Sequence, residues 1–123
     1  MAQILIVDDS SAIRMLMERM LKELAPAADL TKVGSGEEAV NWAQDAKTLS
    51  AALIDYNMPG LNGVEVAQAL REKFPECILL LCTSNIQDTV RQRATDIQMP
   101  VINKPIDKDI VADFLLPIIG DEA

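Results

Sequence analysis

The chain has 123 residues, half of them hydrophobic and 24% charged, a length and balance that fit one globular domain and exclude a disordered chain. Its net charge of -8 argues against a nucleic-acid-binding surface, which needs a basic stripe, and there is no eighteen-residue apolar run to insert in a membrane. Histidine is absent, so any chemistry falls to carboxylates, hydroxyls and lysine. No basic region precedes the first apolar run, so no secretory signal is expected. Cys77 and Cys82, at the two ends of one apolar run, would point to opposite faces of a strand. Buried free thiols in a reducing cytoplasm are the expectation.

Five short apolar runs alternate with helical patterns, which predicts a parallel sheet covered on both faces. The first strand is Ile4-Leu5-Ile6-Val7, stopped by Asp8-Asp9. Ser10 or Ser11 can cap a helix whose inner stripe is Ile13, Leu16, Met17, Met20, Leu21 and Leu24, with Pro26 ending it. A weaker second strand covers about 30–33, and Ser35 with Glu38 reads as a capping box opening a helix through Ala39, Val40, Ala43 and Ala46. Gly34-Ser35-Gly36 lacks the further glycine and lysine of a phosphate loop and is read as a plain loop. The third strand is Ala51-Ala52-Leu53-Ile54, ending at Asp55. After a Tyr56-Asn57-Met58-Pro59-Gly60 loop comes a helix with Gly63, Val66, Ala67 and Leu70 inward. The wholly apolar Ile78–Cys82 run is a central strand ending at Thr83-Ser84, and the next helix carries Ile86, Val90, Ala94 and Ile97. A short fifth strand near Val101-Ile102 ends at Lys104-Pro105. Asp107 can cap a last helix with Ile110, Val111, Phe114 and Leu115 inward and Pro117 limiting its end. Trp42 lies off its helix's clearest stripe and is expected to be partly exposed. One domain over 1–123 without an output domain is expected.

In an open parallel sheet, ligands bind outside the carboxyl ends of the strands. Those ends supply Asp8, Asp9, Asp55, Thr83 and Lys104 to one rim. Three carboxylates so close repel one another, so their pKa values rise or a cation relieves the repulsion. A small, hard oxygen cluster suits magnesium, which favours carboxylate and phosphate oxygens. Together with the Lys104 ammonium it would neutralise a phosphoryl group in loose, in-line transfer. Asp55 would then be the nucleophile, and Thr83 a hydrogen-bond donor to a phosphoryl oxygen. Each residue alone has a plainer reading: Asp9 as a helix cap, Asp55 as a turn residue, Thr83 as a strand former, Lys104 as a surface lysine. Their joint placement at successive strand ends favours the site.

Val7-Asp8-Asp9, Asp55-Tyr56-Asn57-Met58-Pro59 with Gly63, Thr83-Ser84 and Lys104-Pro105 stand in an order that resembles the receiver domain of bacterial response regulators, over nearly the whole chain. The resemblance implies a flavodoxin-like doubly wound (βα)5 domain with strand order 2-1-3-4-5. It implies that Asp9, Asp55 and the backbone carbonyl of Asn57 bind magnesium directly, Asp8 through water, and that the bond before Pro105 is cis. It implies a sensor histidine kinase or phosphotransfer protein as donor, and a downstream protein as target. The switch would promote its own aspartyl phosphorylation and dephosphorylation and would not be an enzyme acting on a separate substrate. Asn57 and Asn85 flank the expected path of hydrolytic water, so spontaneous loss of the phosphoryl group is expected.

Two departures bear on readout. Receivers usually carry an aromatic residue three positions before the lysine; here it is Val101, which cannot make the usual inward swing. Gln98-Met99-Pro100 replaces a commoner glycine-alanine. A phosphorylation-independent adaptor or a phosphate sink is therefore the alternative reading. A magnesium phosphatase of the haloacid dehalogenase type ranks last, because its second carboxylate would fall at Asn57.

Overall fold

The computed structural model describes residues 2–84 and 87–118. Ten elements alternate along the chain: β1 (Gln3–Val7), α1 (Ser11–Leu24), β2 (Asp29–Val33), α2 (Gly36–Asp45), β3 (Ala51–Asp55), α3 (Gly63–Lys73), β4 (Ile78–Thr83), α4 (Asp88–Asp96), β5 (Val101–Asn103) and α5 (Lys108–Phe114). All strands pair in parallel, in the order β2-β1-β3-β4-β5. The fold is the expected flavodoxin-like one. Strands β1, β3 and β4 are buried on both faces, which is why they read as unbroken apolar runs. β2 at the edge is half-exposed and reads weakly for that reason.

The sheet separates two cores. Leu5, Val7, Ala52, Ile54, Leu79 and Leu81 face α2, α3 and α4, while Ile4, Ile6, Ala51, Leu53, Leu80 and Cys82 face α1 and α5. Successive residues of a strand point to opposite faces, so this partition also sets where each strand end aims. Carried to the last residues of β3 and β4 and one step past β1 and β5, the alternation puts Asp55, Asp8 and Lys104 on the α1–α5 side and Thr83 on the other.

Helix ends follow local chemistry. Ser10 caps α1, accepting from the Ile13 amide, and Asp107 caps α5. Asn62 and Glu65 form a reciprocal capping box on α3, a signal the sequence reading passed over. The box expected on α2 is only half made: Ser35 accepts from the Glu38 amide, but the Glu38 carboxylate accepts from Gly34, one residue earlier than the motif requires. Gly34 and Ser35 form the short loop before the capped helix, and Gly36 is already the first residue of α2.

Three apolar positions correct the expected stripes. Leu16 is 60% exposed, and in α5 Ile110 and Phe114 are 45% and 38% exposed. In α1 the buried centre is Met17 and Leu21, so Leu16 is turned away by one residue's rotation, about 100°. α5 presents Val111 and Leu115 to the sheet, and their neighbours at 110 and 114 fall on its flank. Trp42 is half-buried against the α2–α4 core, and Ile97 packs there too. Cys77 and Cys82 are buried free thiols; burial pushes the Cys82 thiol up to about 12. Cys77 precedes β4 and is not part of it. Ile86, Asn85 and Ile119 lie outside the described residues. Among the described residues, no helix is long and apolar enough to cross a membrane.

Candidate functional site

Asp8, Asp9 and Asp55 converge at the carboxyl edge of the sheet, where one carboxylate oxygen from each lies within 4.8 Å of the others. The neighbours β1 and β3 deliver them: Val7 pairs with Ile54, so Asp8, just after β1, and Asp55, the last residue of β3, reach the same rim. Asp8 and Asp55 are buried, 1% and 5% exposed, while Asp9 is open to solvent.

Lys104 arrives from the end of β5 and closes the group. Its Nζ lies 3.0 Å from Asp8 Oδ2 and 3.1 Å from Asp55 Oδ1. It therefore bridges the two buried acids. The Lys104 amide donates to the Thr83 carbonyl at 3.0 Å, and the following bond to Pro105 is cis, as the resemblance implied. Thr83, at the end of β4, is fully buried.

The charges pull against one another. Burial raises the Asp55 carboxyl above its ordinary value; the Lys104 hydrogen bond and charge oppose this, and the neighbouring charges of Asp8 and Asp9 add to it. For Lys104, burial disfavours the ammonium, but its hydrogen bonds and attractions to Asp8 and Asp55 together outweigh that and hold its pKa above the ordinary lysine value. One ammonium thus offsets part of three clustered negative charges. The donor set fits a small, hard divalent cation such as magnesium: three carboxylates within reach of one another, with no nitrogen or sulfur ligand among them.

Asp8 has both oxygens engaged, since Oδ1 also accepts from the Ser10 amide at 2.9 Å. Arg14 Nη1 donates to the Asp8 carbonyl at 2.6 Å. Ser10 and Arg14 therefore tie the β1–α1 loop, and only the capping role of Ser10 was legible in sequence. An arginine one turn into a helix has no pattern that announces such a contact.

The loop after β3 is held at both ends. Tyr56 N donates to Cys82 O at 3.3 Å, and Gly63 N to Tyr56 O at 3.1 Å. Gly63 is buried, and a Cβ there would stand 2.5 Å from the Asp55 carbonyl oxygen and 2.9 Å from Tyr56 Cα. Only glycine allows α3 to start this close to the end of β3. Asn57 lies exposed within the loop.

A profile of the response regulator receiver domain matches residues 4–115. The chain belongs to this family of two-component signalling switches. It is similar to the sensor protein TorS of Escherichia coli K12, 25% identical over 114 residues, which is 92% of this chain and 12% of TorS. The cyclic di-GMP phosphodiesterase response regulator RpfG of Xanthomonas campestris is 30% identical over 95 residues, 76% of this chain and 25% of that protein. The chain thus spans a quarter or less of these two relatives. Among solved structures, the chemotaxis protein CheY4 of Vibrio cholerae aligns with TM-score 0.77 at 25% identity, covering 100% of this chain and 99% of that one. A CheY-like receiver from Methanospirillum hungatei aligns with TM-score 0.86 over 99% of this chain and 96% of its own, but at 17% identity it speaks to the fold alone.

Proposed function

We propose that the chain accepts a phosphoryl group on Asp55 in a magnesium-dependent reaction, from a phosphohistidine on a sensor histidine kinase or phosphotransfer protein, and that the phosphorylated form is read by contact with a downstream protein. The observation that carries this is the convergence of Asp8, Asp9 and Asp55, with Lys104 bridging the two buried acids. Asp9, Asp55 and the Asn57 carbonyl would hold magnesium, with Asp8 acting mainly through water. Bound magnesium supplies positive charge against the oxygens of the transferring phosphoryl group.

An Asp55 oxygen forms the new bond to phosphorus while the bond from phosphorus to the donor imidazole nitrogen breaks, its electron pair staying on that nitrogen. The product is an acyl phosphate, and with the donor ring's other nitrogen protonated the imidazole leaves neutral, so no further proton moves. Lys104 trades part of its pairing with Asp55 for the arriving phosphoryl oxygens. Thr83 donates its hydroxyl to one of them, which makes its position sensitive to the phosphorylated state. Loss of the phosphoryl group to water beside the exposed Asn57 resets the switch. The reading includes a cytoplasmic location, which the buried free thiols of Cys77 and Cys82 support.

The test is incubation with magnesium and acetyl phosphate, followed by intact mass of the wild type and of Asp55→Asn. The wild type should gain one phosphoryl group and the variant none. Equal uptake would show that another residue is the acceptor. Val101, half-buried on β5 where an aromatic residue usually stands, favours the adaptor as a second reading. A target that binds equally to the phosphorylated and unphosphorylated chain would support it.

A further inference from the structure

One acidic side chain outside the pocket reaches the loop that carries Asn57. Glu37, in the first turn of α2, accepts from the Leu61 amide at 3.0 Å. On its own helix the carboxylate also accepts from the Glu37 amide, while Ser35 and Glu38 close the rest of that end. The backbone makes room for the contact. Gly60 adopts φ 79°, and a Cβ on it would run into the Glu37 carboxylate. Gly36 is buried, and a Cβ there would stand 2.8 Å from Leu61 Cβ and 3.1 Å from Leu61 O. Two glycines thus let the start of α2 sit directly against the middle of the β3–α3 loop. The loop's ends are fixed at Tyr56 and Gly63, and Glu37 adds an anchor between them from a different helix.

We propose that Glu37 is a positioning residue for the phosphoacceptor loop: by holding the Leu61 amide it fixes the path of the segment bearing Asn57, and so tunes how tightly the pocket takes magnesium. This rests on the magnesium-dependent reading of Asp55. A loop ordered before its ligand arrives loses less freedom on binding, and groups that orient a metal's ligands alter affinity without touching the metal. The Leu61 amide also holds the Glu37 carboxyl below its ordinary value, so the acceptor is ionised at neutral pH.

The experiment measures magnesium affinity of the full chain by calorimetry, together with the magnesium dependence of phosphorylation by acetyl phosphate. Glu37→Ala should weaken magnesium binding about 3- to 10-fold, at or below the low end for such groups because Glu37 is exposed. The maximal rate at saturating magnesium should stay within about twofold, since the reacting groups are untouched. Glu37→Gln keeps a carbonyl that accepts the Leu61 N–H and should restore most of the affinity. Glu38→Ala breaks the neighbouring cap on the same helix end and should leave the affinity unchanged.

Unchanged affinity in Glu37→Ala, equal weakening by Glu38→Ala, or a glutamine variant no better than alanine would each overturn the inference alone. A wild type that binds no magnesium, or an Asp55→Asn variant that takes up phosphate equally, would overturn both it and the reading it rests on.

Discussion

Replacing Lys104 with methionine keeps most of the side chain's length and removes its charge from between Asp8 Oδ2 at 3.0 Å and Asp55 Oδ1 at 3.1 Å. At an effective dielectric of about 20, each attraction is worth roughly 5 kcal/mol gross. Desolvation of the ammonium cancels most of that, and a lysine side chain 19% exposed is partly screened. What remains is the cost of leaving two buried carboxylates without a counter-charge, about 3 kcal/mol, at the lower end for a broken buried pair. For a domain of this size that is a large share of a total stability of about 5–15 kcal/mol. Urea unfolding at pH 7 in a chelator should show the midpoint falling by about 2 M, taking a slope near 1.5 kcal/mol per M. In an Asp55→Asn background only Asp8 is orphaned, so the same substitution should cost about half as much. The folded ammonium titrates above the ordinary lysine value, so its contribution is complete below that value and is lost only as pH rises through the folded one. A midpoint unchanged within about 0.5 kcal/mol of stability, or an identical loss with and without the Asp55 charge, would refute the compensation argument.

Asp55→Asn should itself raise stability at pH 7 without metal. Burial, reinforced by Asp8 and Asp9 and opposed by Lys104, lifts the folded Asp55 pKa. Its favourable contribution is therefore complete below the unfolded value and lost as pH rises through the folded one. The gap between variant and wild type should close as pH falls toward the ordinary carboxylate range and when magnesium is added; equal midpoints at pH 7 would count against this. Gly63→Ala must push α3 away from the Asp55 carbonyl, at about 1–3 kcal/mol, and should slow phosphorylation at limiting magnesium; thermal unfolding and rate measurements read the two effects. Gln98 follows α4 at φ 56°, in the left-handed region, so Gln98→Gly should stabilise by about 0.5–1 kcal/mol in urea unfolding. A loss of stability there would mean the side chain contributes more than its backbone strain costs.

The fold and the candidate-site cluster were legible for one reason: both are written at strand ends. Buried strands of a parallel sheet carry apolar runs, and the run stops where a polar group is needed, at Asp8, Asp55, Thr83 and Lys104. Cap signals at Ser10, Ser35 and Asp107 were equally local. Stripe edges were less legible: Leu16, Ile110 and Phe114 are apolar but stand outward, because rotation about a helix axis is set by what the helix packs on.

The sequence by itself determined the alternation of elements, the two apolar faces of the sheet and which polar residues reach its carboxyl edge, since these depend on periodicity and on where apolar runs end. Only the tertiary structure decided how those residues pair: Lys104 bridging Asp8 and Asp55, Arg14 on the Asp8 carbonyl, Glu37 on the Leu61 amide. Such contacts join residues 6 to 96 positions apart. Their partners are chosen by strand order and by glycines that let backbones approach, and neither leaves a pattern along the chain.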